Sequence, residues 1–500
     1  MKRIGAAALA VTLLVGGCSH SASVESDPPR ATTTSGAIQG IRQDSVVAFK
    51  GIPYAAPPTG DLRWRAPQPA KAWDGVKNAT AYGAMCPQTY NASDEGVGPL
   101  PASEDCLTLN VFTPDHAHKL PVMVWIHGGG FVNGSGTAAL YDGTHLAQQG
   151  VIVVTLNYRL GRLGFFAHPA LTAEAGDEAV GNYALMDMIQ ALKWVHSNIA
   201  AFGGDPGKVT IFGESAGGVA VNDLMVSPAA RGLFARAITQ SGLGREAVVP
   251  LGVAEQAGAK FAANMGLAGA TAADLRELTP EQILKVGDLD LRSGGGPMLD
   301  GKILTVGPMA GFEQRLQAPV PFVIGSNSLE FPIPEEQLQL GLAAILSPPD
   351  RERLASVYGD TSTFNAHVFS DLTFNEPGLT LAKLHASRGL PTWAYQFSVV
   401  SSSMRDKLKG APHASERKYV FGTLQTSSWP TDENDATQSA LMSAYWAAFA
   451  KDGDPNDEAR PQWPKYNPVI DEILDFTNDG PLVTKTPRRA AMDVLADIAQ

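Results

Sequence analysis

Charge is sparse in this chain and cysteine is nearly absent. Only 18% of the residues are Asp, Glu, Lys or Arg, and the formal net charge is −12 with no basic run. That balance argues against a nucleic-acid partner. There is no Gly-x-x-x-x-Gly-Lys-Ser/Thr, no dinucleotide fingerprint after a first strand and no His-Glu-x-x-His. No organic cofactor and no metal is therefore expected. No internal repeat and no linker interrupts the body. The three cysteines are Cys18, Cys86 and Cys106.

What is present begins with an export signal. Lys2 and Arg3 precede a short apolar stretch, Ala6 to Val15, too short to anchor a mature protein across a membrane. It runs into Leu14-Val15-Gly16-Gly17-Cys18, which resembles a bacterial lipoprotein box. Residues 1–17 read as a lipoprotein-type signal peptide, with Cys18 as the lipid-bearing residue that would tie the chain to a membrane of the cell envelope. Residues 18–34 are polar, with Ser, Thr and Pro, and read as a flexible tether. Cys86 and Cys106 remain as an even pair in an exported chain, so a disulfide is expected. It would close a loop of about 20 residues, a constraint of roughly 3 kcal/mol in the loop-entropy model.

Residues 35–500 read as a single large domain. With 44% hydrophobic residues the chain can bury a sizeable core. Phe49 to Ala55, Leu107 to Phe112, Leu120 to Ile126, Val151 to Leu156, Val209 to Phe212 and Val320 to Ile324 read as strands. Several are continuously apolar, as in strands covered on both faces. Asn182 to Ala200 has helical spacing and stops at Gly203-Gly204-Asp205-Pro206. Alternating strands and helices imply an α/β fold with a mostly parallel central sheet flanked by helices, and ligands bound beyond the carboxyl ends of the strands. Ala254 to Ser347 would supply cap or rim insertions.

Gly213-Glu214-Ser215-Ala216-Gly217 follows the Val209 strand and precedes small residues that can open a helix. Gly-x-Ser-x-Gly between strand and helix is the nucleophile elbow, in which only small neighbours fit beside a serine raised clear of the backbone. A serine needs a base, and the base an orienting carboxylate. In the chain order serine, acid, histidine, the available histidines are His367, His385 and His413. The first two sit in helical stretches. His413 lies in the loop Lys409-Gly410-Ala411-Pro412-His413 and is the favoured base. Glu330, just after the Val320 strand, is the favoured acid; Asp300 in Leu299-Asp300-Gly301 reads as a turn residue. Gly129 and Gly130, with Ala216, can aim backbone N–H groups at one point as an oxyanion hole. His127 reads as support for that glycine loop.

These motifs, taken with Phe49-Lys50-Gly51-Ile52-Pro53-Tyr54-Ala55, Ser103-Glu104-Asp105-Cys106-Leu107-Thr108-Leu109-Asn110, His127-Gly128-Gly129-Gly130-Phe131, Asn157-Tyr158-Arg159, Phe202-Gly203-Gly204-Asp205-Pro206, Gln240-Ser241-Gly242 and Gly453-Asp454-Pro455-Asn456, resemble the type-B carboxylesterase family. That family includes cholinesterases and bacterial para-nitrobenzyl esterases. The resemblance covers nearly the whole mature chain. It implies an α/β-hydrolase fold, a triad of Ser215, Glu330 and His413, a buried gorge leading to the serine, hydrolysis of small-molecule carboxylic esters through an acyl-enzyme, and supporting residues Glu214, Ser241 and Glu416. It also supports a Cys86–Cys106 bridge. Two departures stand out. The family's Asp-Glu-Gly around the acid is Leu329-Glu330-Phe331 here, and the Cys86–Cys106 loop holds Tyr90 but no tryptophan, so choline esters are not the favoured substrates. A catalytically silent binding module of the same fold, and a triad acting on amides, carbamates, lactones or thioesters, are the alternatives.

The leader makes one checkable statement. Mass spectrometry of the protein from an expressing bacterium should find a mature chain that begins at a lipid-modified Cys18. A mature chain starting elsewhere, or an unmodified cysteine, contradicts it.

Overall fold

The apolar runs become the interior strands of one sheet. The computed structural model describes residues 28–89, 101–246, 248–285 and 295–499. The leader, Cys18 and Tyr90 lie outside these residues. The strands are Ile41–Gln43 (β1), Val46–Pro53 (β2), Thr108–Pro114 (β3), Leu120–Ile126 (β4), Ile152–Leu156 (β5), Gly204–Glu214 (β6), Arg236–Gln240 (β7), Phe322–Asn327 (β8), Thr392–Phe397 (β9), Glu472–Thr477 (β10) and Gly480–Lys485 (β11). In space they run β11-β10-β9-β8-β7-β6-β4-β5-β3-β2-β1. From β5 through β4, β6, β7, β8 and β9 to β10 every pairing is parallel, and the pairings outside that block are antiparallel.

Burial on both faces explains why the central runs are apolar without alternation. Val122, Val124 and Ile126 of β4 pack into one buried cluster, and Met123 and Trp125 into another on the opposite face. The helix Tyr183–Asn198 (α1) covers the first face with Leu185, Met188, Ile189 and Leu192. The helix Glu433–Asp452 (α5 in the order used below) covers the second with Tyr445, Trp446 and Phe449. Between them in sequence lie Ala216–Val226 (α2), Thr361–Ser370 (α3) and Glu376–Ala386 (α4).

Register sets the site. Ile126 pairs with Gly213, Glu214 with Gln240, and Gln240 with Gly325. The residues that follow β4, β6, β7 and β8 therefore emerge at one level on one edge of the sheet. Cys86 and Cys106 form a disulfide, as expected. The segment expected as a tether needs a correction at its end. Arg30–Thr33 is a strand, paired antiparallel with Gly36–Gln39 through a tight turn at Thr34-Ser35. Ala31 and Thr33 alternate inward, which a four-residue polar stretch hides in the sequence. The Val209 strand also begins earlier than read, at Gly204, with an irregular register before Val209. Among the described residues no helix is long and apolar enough to cross a membrane.

The elbow depends on an absent side chain. A Cβ on Gly217 would lie 2.0 Å from the Ile126 carbonyl oxygen of the neighbouring strand. Gly217→Val should therefore cost about 3 kcal/mol or more in thermal or denaturant unfolding, or yield no folded protein. Wild-type stability in that variant would show that β4 and α2 are not packed this way.

Candidate active site

Ser215 ends the strand β6 and begins the helix α2 with φ 56° and ψ −125°. That positive φ is costly for any residue with a Cβ. Its N–H donates to the Gln240 carbonyl of β7 at 2.9 Å, which fixes the turn from the other side. Gly130, Ser215 and Ala216 line one cavity of about 500 Å³, open mouth included. Ala216 is the first residue of α2, and helices leave their first N–H groups without intrahelical acceptors. Gly129 and Gly130 have φ of 105° and 61°, so this turn favours glycine at both.

The glycine loop is braced from below. Asn157 Oδ1 accepts from Ser135 Oγ and from the Gly136 N–H. The Tyr158 hydroxyl donates to the His127 carbonyl at 2.7 Å, and the two rings stack at 4.3 Å. Arg159 makes a buried two-pronged pair with Asp187. The Asn157-Tyr158-Arg159 motif is thus a scaffold, and His127 is part of it.

Glu330 and His413 come from distant loops and meet. Glu330 Oε2 lies 2.6 Å from His413 Nδ1. The two loops are laced by backbone bonds: the His413 N–H donates to the Glu330 carbonyl, and the Leu329 N–H to the Ala411 carbonyl. The other Glu330 oxygen accepts from Ser241 Oγ at 2.6 Å and from the Asn327 N–H at 2.7 Å. The Glu330 N–H donates to Ser370 Oγ at the end of α3. Glu416 holds the next layer, accepting from Gln240 Nε2 and Asn327 Nδ2. Gln240 is itself fixed by Trp446 Nε1 from α5. Gln240 and Trp446 lie in stretches that carry the family resemblance, but the sequence assigns them no role, and no local motif marks Ser370 or Asn327.

The second imidazole nitrogen, Nε2, lies 3.2 Å from Glu214 Oε1, on the residue just before the serine. Three carboxylates therefore surround one ring. Burial alone would lower the pKa of His413, but the charge of Glu214, the hydrogen bond from Glu330 and the charge of Glu416 outweigh it and push it up to about 9. Burial pushes the Glu214 carboxyl up to about 7, against the opposing charges of His413 and Arg417. Phe331 covers the same ring, with centroids 4.4 Å apart, and Phe374 lies 5.1 Å from it. The bulky neighbour that departs from the family's Asp-Glu-Gly is thus a wall of this site.

The rivals sit elsewhere. His385, inside α4, contacts the Val320 carbonyl through Nε2, and burial lowers its pKa to about 4. His367 lies within α3. Asp300 accepts N–H bonds from Lys302, Ile303 and Leu304, as a turn aspartate does.

A mostly parallel sheet with a strained serine between strand and helix, and a carboxylate-bound histidine beyond the same sheet edge, defines an α/β-hydrolase. The match to the Carboxylesterase family model spans residues 27–344 and 351–495. The chain belongs to the carboxylesterase family and is a hydrolase of that class. It is 39% identical over 483 residues to the para-nitrobenzyl esterase of Bacillus subtilis (strain 168), covering 90% of this chain and 96% of that protein. It is 36% identical over 498 residues to the fumonisin B1 esterase of Sphingopyxis macrogoltabida, covering 94% and 91%. A solved structure of a PNB esterase superposes with a TM-score of 0.81 at 34% identity, over 93% of this chain and 99% of that one.

The charge cluster sets a pH dependence. An imidazole must be neutral to accept a proton, so with His413 as the expected base kcat/KM should rise with pH as its ring deprotonates. Glu214→Gln removes the largest charge that raises its pKa. The acid limb of the pH profile, followed on the variant's residual activity, should move to lower pH. An unmoved limb contradicts this electrostatic account.

Proposed function

We propose that Ser215, His413 and Glu330 form the catalytic triad of a serine carboxylesterase acting on small-molecule esters. The observation that carries this reading is the 2.6 Å Glu330–His413 hydrogen bond, made by a ring whose other nitrogen lies 3.2 Å from the carboxylate of Glu214, the residue just before a serine held at positive φ. His413 takes the hydroxyl proton as the Ser215 oxygen attacks the ester carbonyl. Glu330 holds the ring in the tautomer with its proton on Nδ1 and stabilises the imidazolium. The N–H groups of Gly129, Gly130 and Ala216 receive the oxyanion. Each such donor is typically worth ~10²–10³ in turnover. Collapse expels the alcohol, which takes the proton from His413. Water then attacks the acyl-enzyme with His413 as base, releasing the acid and restoring Ser215. Ser241 and Glu416 act through Glu330 and its neighbours, and Glu214 through His413.

The two relatives named above carry the names of esterases with different specificities, which supports an ester substrate without choosing one. The leader and the Cys86–Cys106 bridge support an exported protein tethered to the cell envelope through Cys18. The same triad could open an amide, carbamate, lactone or thioester, since all pass through one kind of tetrahedral intermediate.

Ser215→Ala should lower kcat on a short-chain aryl ester by about 10⁵-fold or more. The intact enzyme should also become labelled by a fluorophosphonate probe. A Ser215→Ala variant with wild-type turnover removes the mechanism. A wild-type protein that resists the probe and hydrolyses none of these acyl bonds is instead the binding module.

A further inference from the structure

The cavity beside Ser215 has apolar walls contributed by Phe131, Val219, Leu243 and Val248, and Glu246 is the charged residue lining it. Glu246 Oε2 accepts the Gly244 N–H at 2.7 Å. Glu246 Oε1 is buried and has no hydrogen-bond partner among the described residues. The adjacent cation does not help: Arg245 is committed to Glu376 by two bonds of 2.7 Å. Nearby, Asp223 of α2 is fully buried, and neither of its carboxyl oxygens has a partner. Burial pushes the Asp223 carboxyl up, and the charge of Glu246 adds to the rise. Burial likewise pushes Glu246 up to about 7. An unpaired buried carboxyl costs stability, and among the described residues no positively charged donor meets Glu246 Oε1 or Asp223.

We propose that Glu246 is a specificity-determining residue, and that this cavity receives a primary ammonium group of the substrate. The ammonium donates to the Glu246 carboxylate that lines the cavity, while the methylene chain behind it lies against Phe131, Leu243 and Val248. Such a charge-assisted bond in an apolar pocket is stronger than a neutral one. A site built around it discriminates against an analogue that cannot donate. The preferred esters are then those carrying an amino group on the side that enters this cavity. The inference rests on Ser215 being the nucleophile.

The experiment compares matched esters in wild type and Glu246→Gln. One series is p-nitrophenyl 6-aminohexanoate against p-nitrophenyl heptanoate. The other is 6-aminohexyl acetate against heptyl acetate. In one of the two, the ratio of kcat/KM for the amino ester to that for the neutral ester should fall at least tenfold in Glu246→Gln. For the wild type alone, n-hexylamine should inhibit competitively at a concentration at least tenfold lower than 1-hexanol, a reading that does not need the variant to fold. A ratio unchanged in both series, or hexylamine no better than hexanol, overturns the proposal. Wild-type turnover of the neutral esters reads the esterase mechanism by itself, whereas the ratio reads Glu246.

Discussion

The arrangement depends on a 2.6 Å contact between Glu330 and His413, residues 83 positions apart in the chain. Neither loop would hold its side chain alone. The carboxylate is clamped by Ser241, Asn327 and the loop's own backbone, and the histidine by an N–H bond to the very residue it serves. Ser241 in turn stands where it does because its N–H donates to Gly325 of β8. The charged centre thus inherits its geometry from parallel strand register, which a one-residue slip would destroy.

The serine inherits its position from the same sheet. Ile126 of β4 packs against Gly217, and Gln240 of β7 accepts the Ser215 N–H. Two neighbouring strands therefore hold the elbow from opposite sides, and a backbone angle that is unfavourable in isolation is sustained by fully buried surroundings. The glycine loop after β4 sits at the same level, so the residues proposed as nucleophile and amide donors leave the sheet on one edge by register more than by any local fold preference.

What could be read from the sequence was what local chemistry encodes. Leu120–Ile126 and Ile152–Leu156 announce themselves as strands because both faces are covered, and Gly213 to Gly217 announces the elbow because the turn tolerates nothing larger. His413 stood out by the loop around it and Glu330 by following a strand. The supporting roles of Ser370, Asn327, Gln240 and Trp446 did not, since their hydrogen bonds come from four different elements that only the fold brings together. Phe331 was visible as an oddity beside the acid, but its place against the imidazole is a tertiary fact. The Arg30–Thr33 strand was hidden because its composition matches that of the tether before it.

Electrostatically the site concentrates carboxylates. The charges of Glu214, Glu330 and Glu416 act on one imidazole, and Glu246 lines the cavity that Ser215 shares, with its charge felt by the buried Asp223. In the proposed reaction the first group favours the imidazolium that forms as the serine attacks, and in the proposed substrate preference Glu246 bears on what is bound. The central claim is that a covalent acyl-serine forms at residue 215. The most direct measurement is rapid mixing of the intact protein with p-nitrophenyl acetate, followed by acid quench and peptide mass analysis. The account predicts an initial release of nitrophenol not exceeding one per chain and an acetyl group on the peptide containing Ser215. Steady hydrolysis with the acetyl group found on another side chain would contradict it.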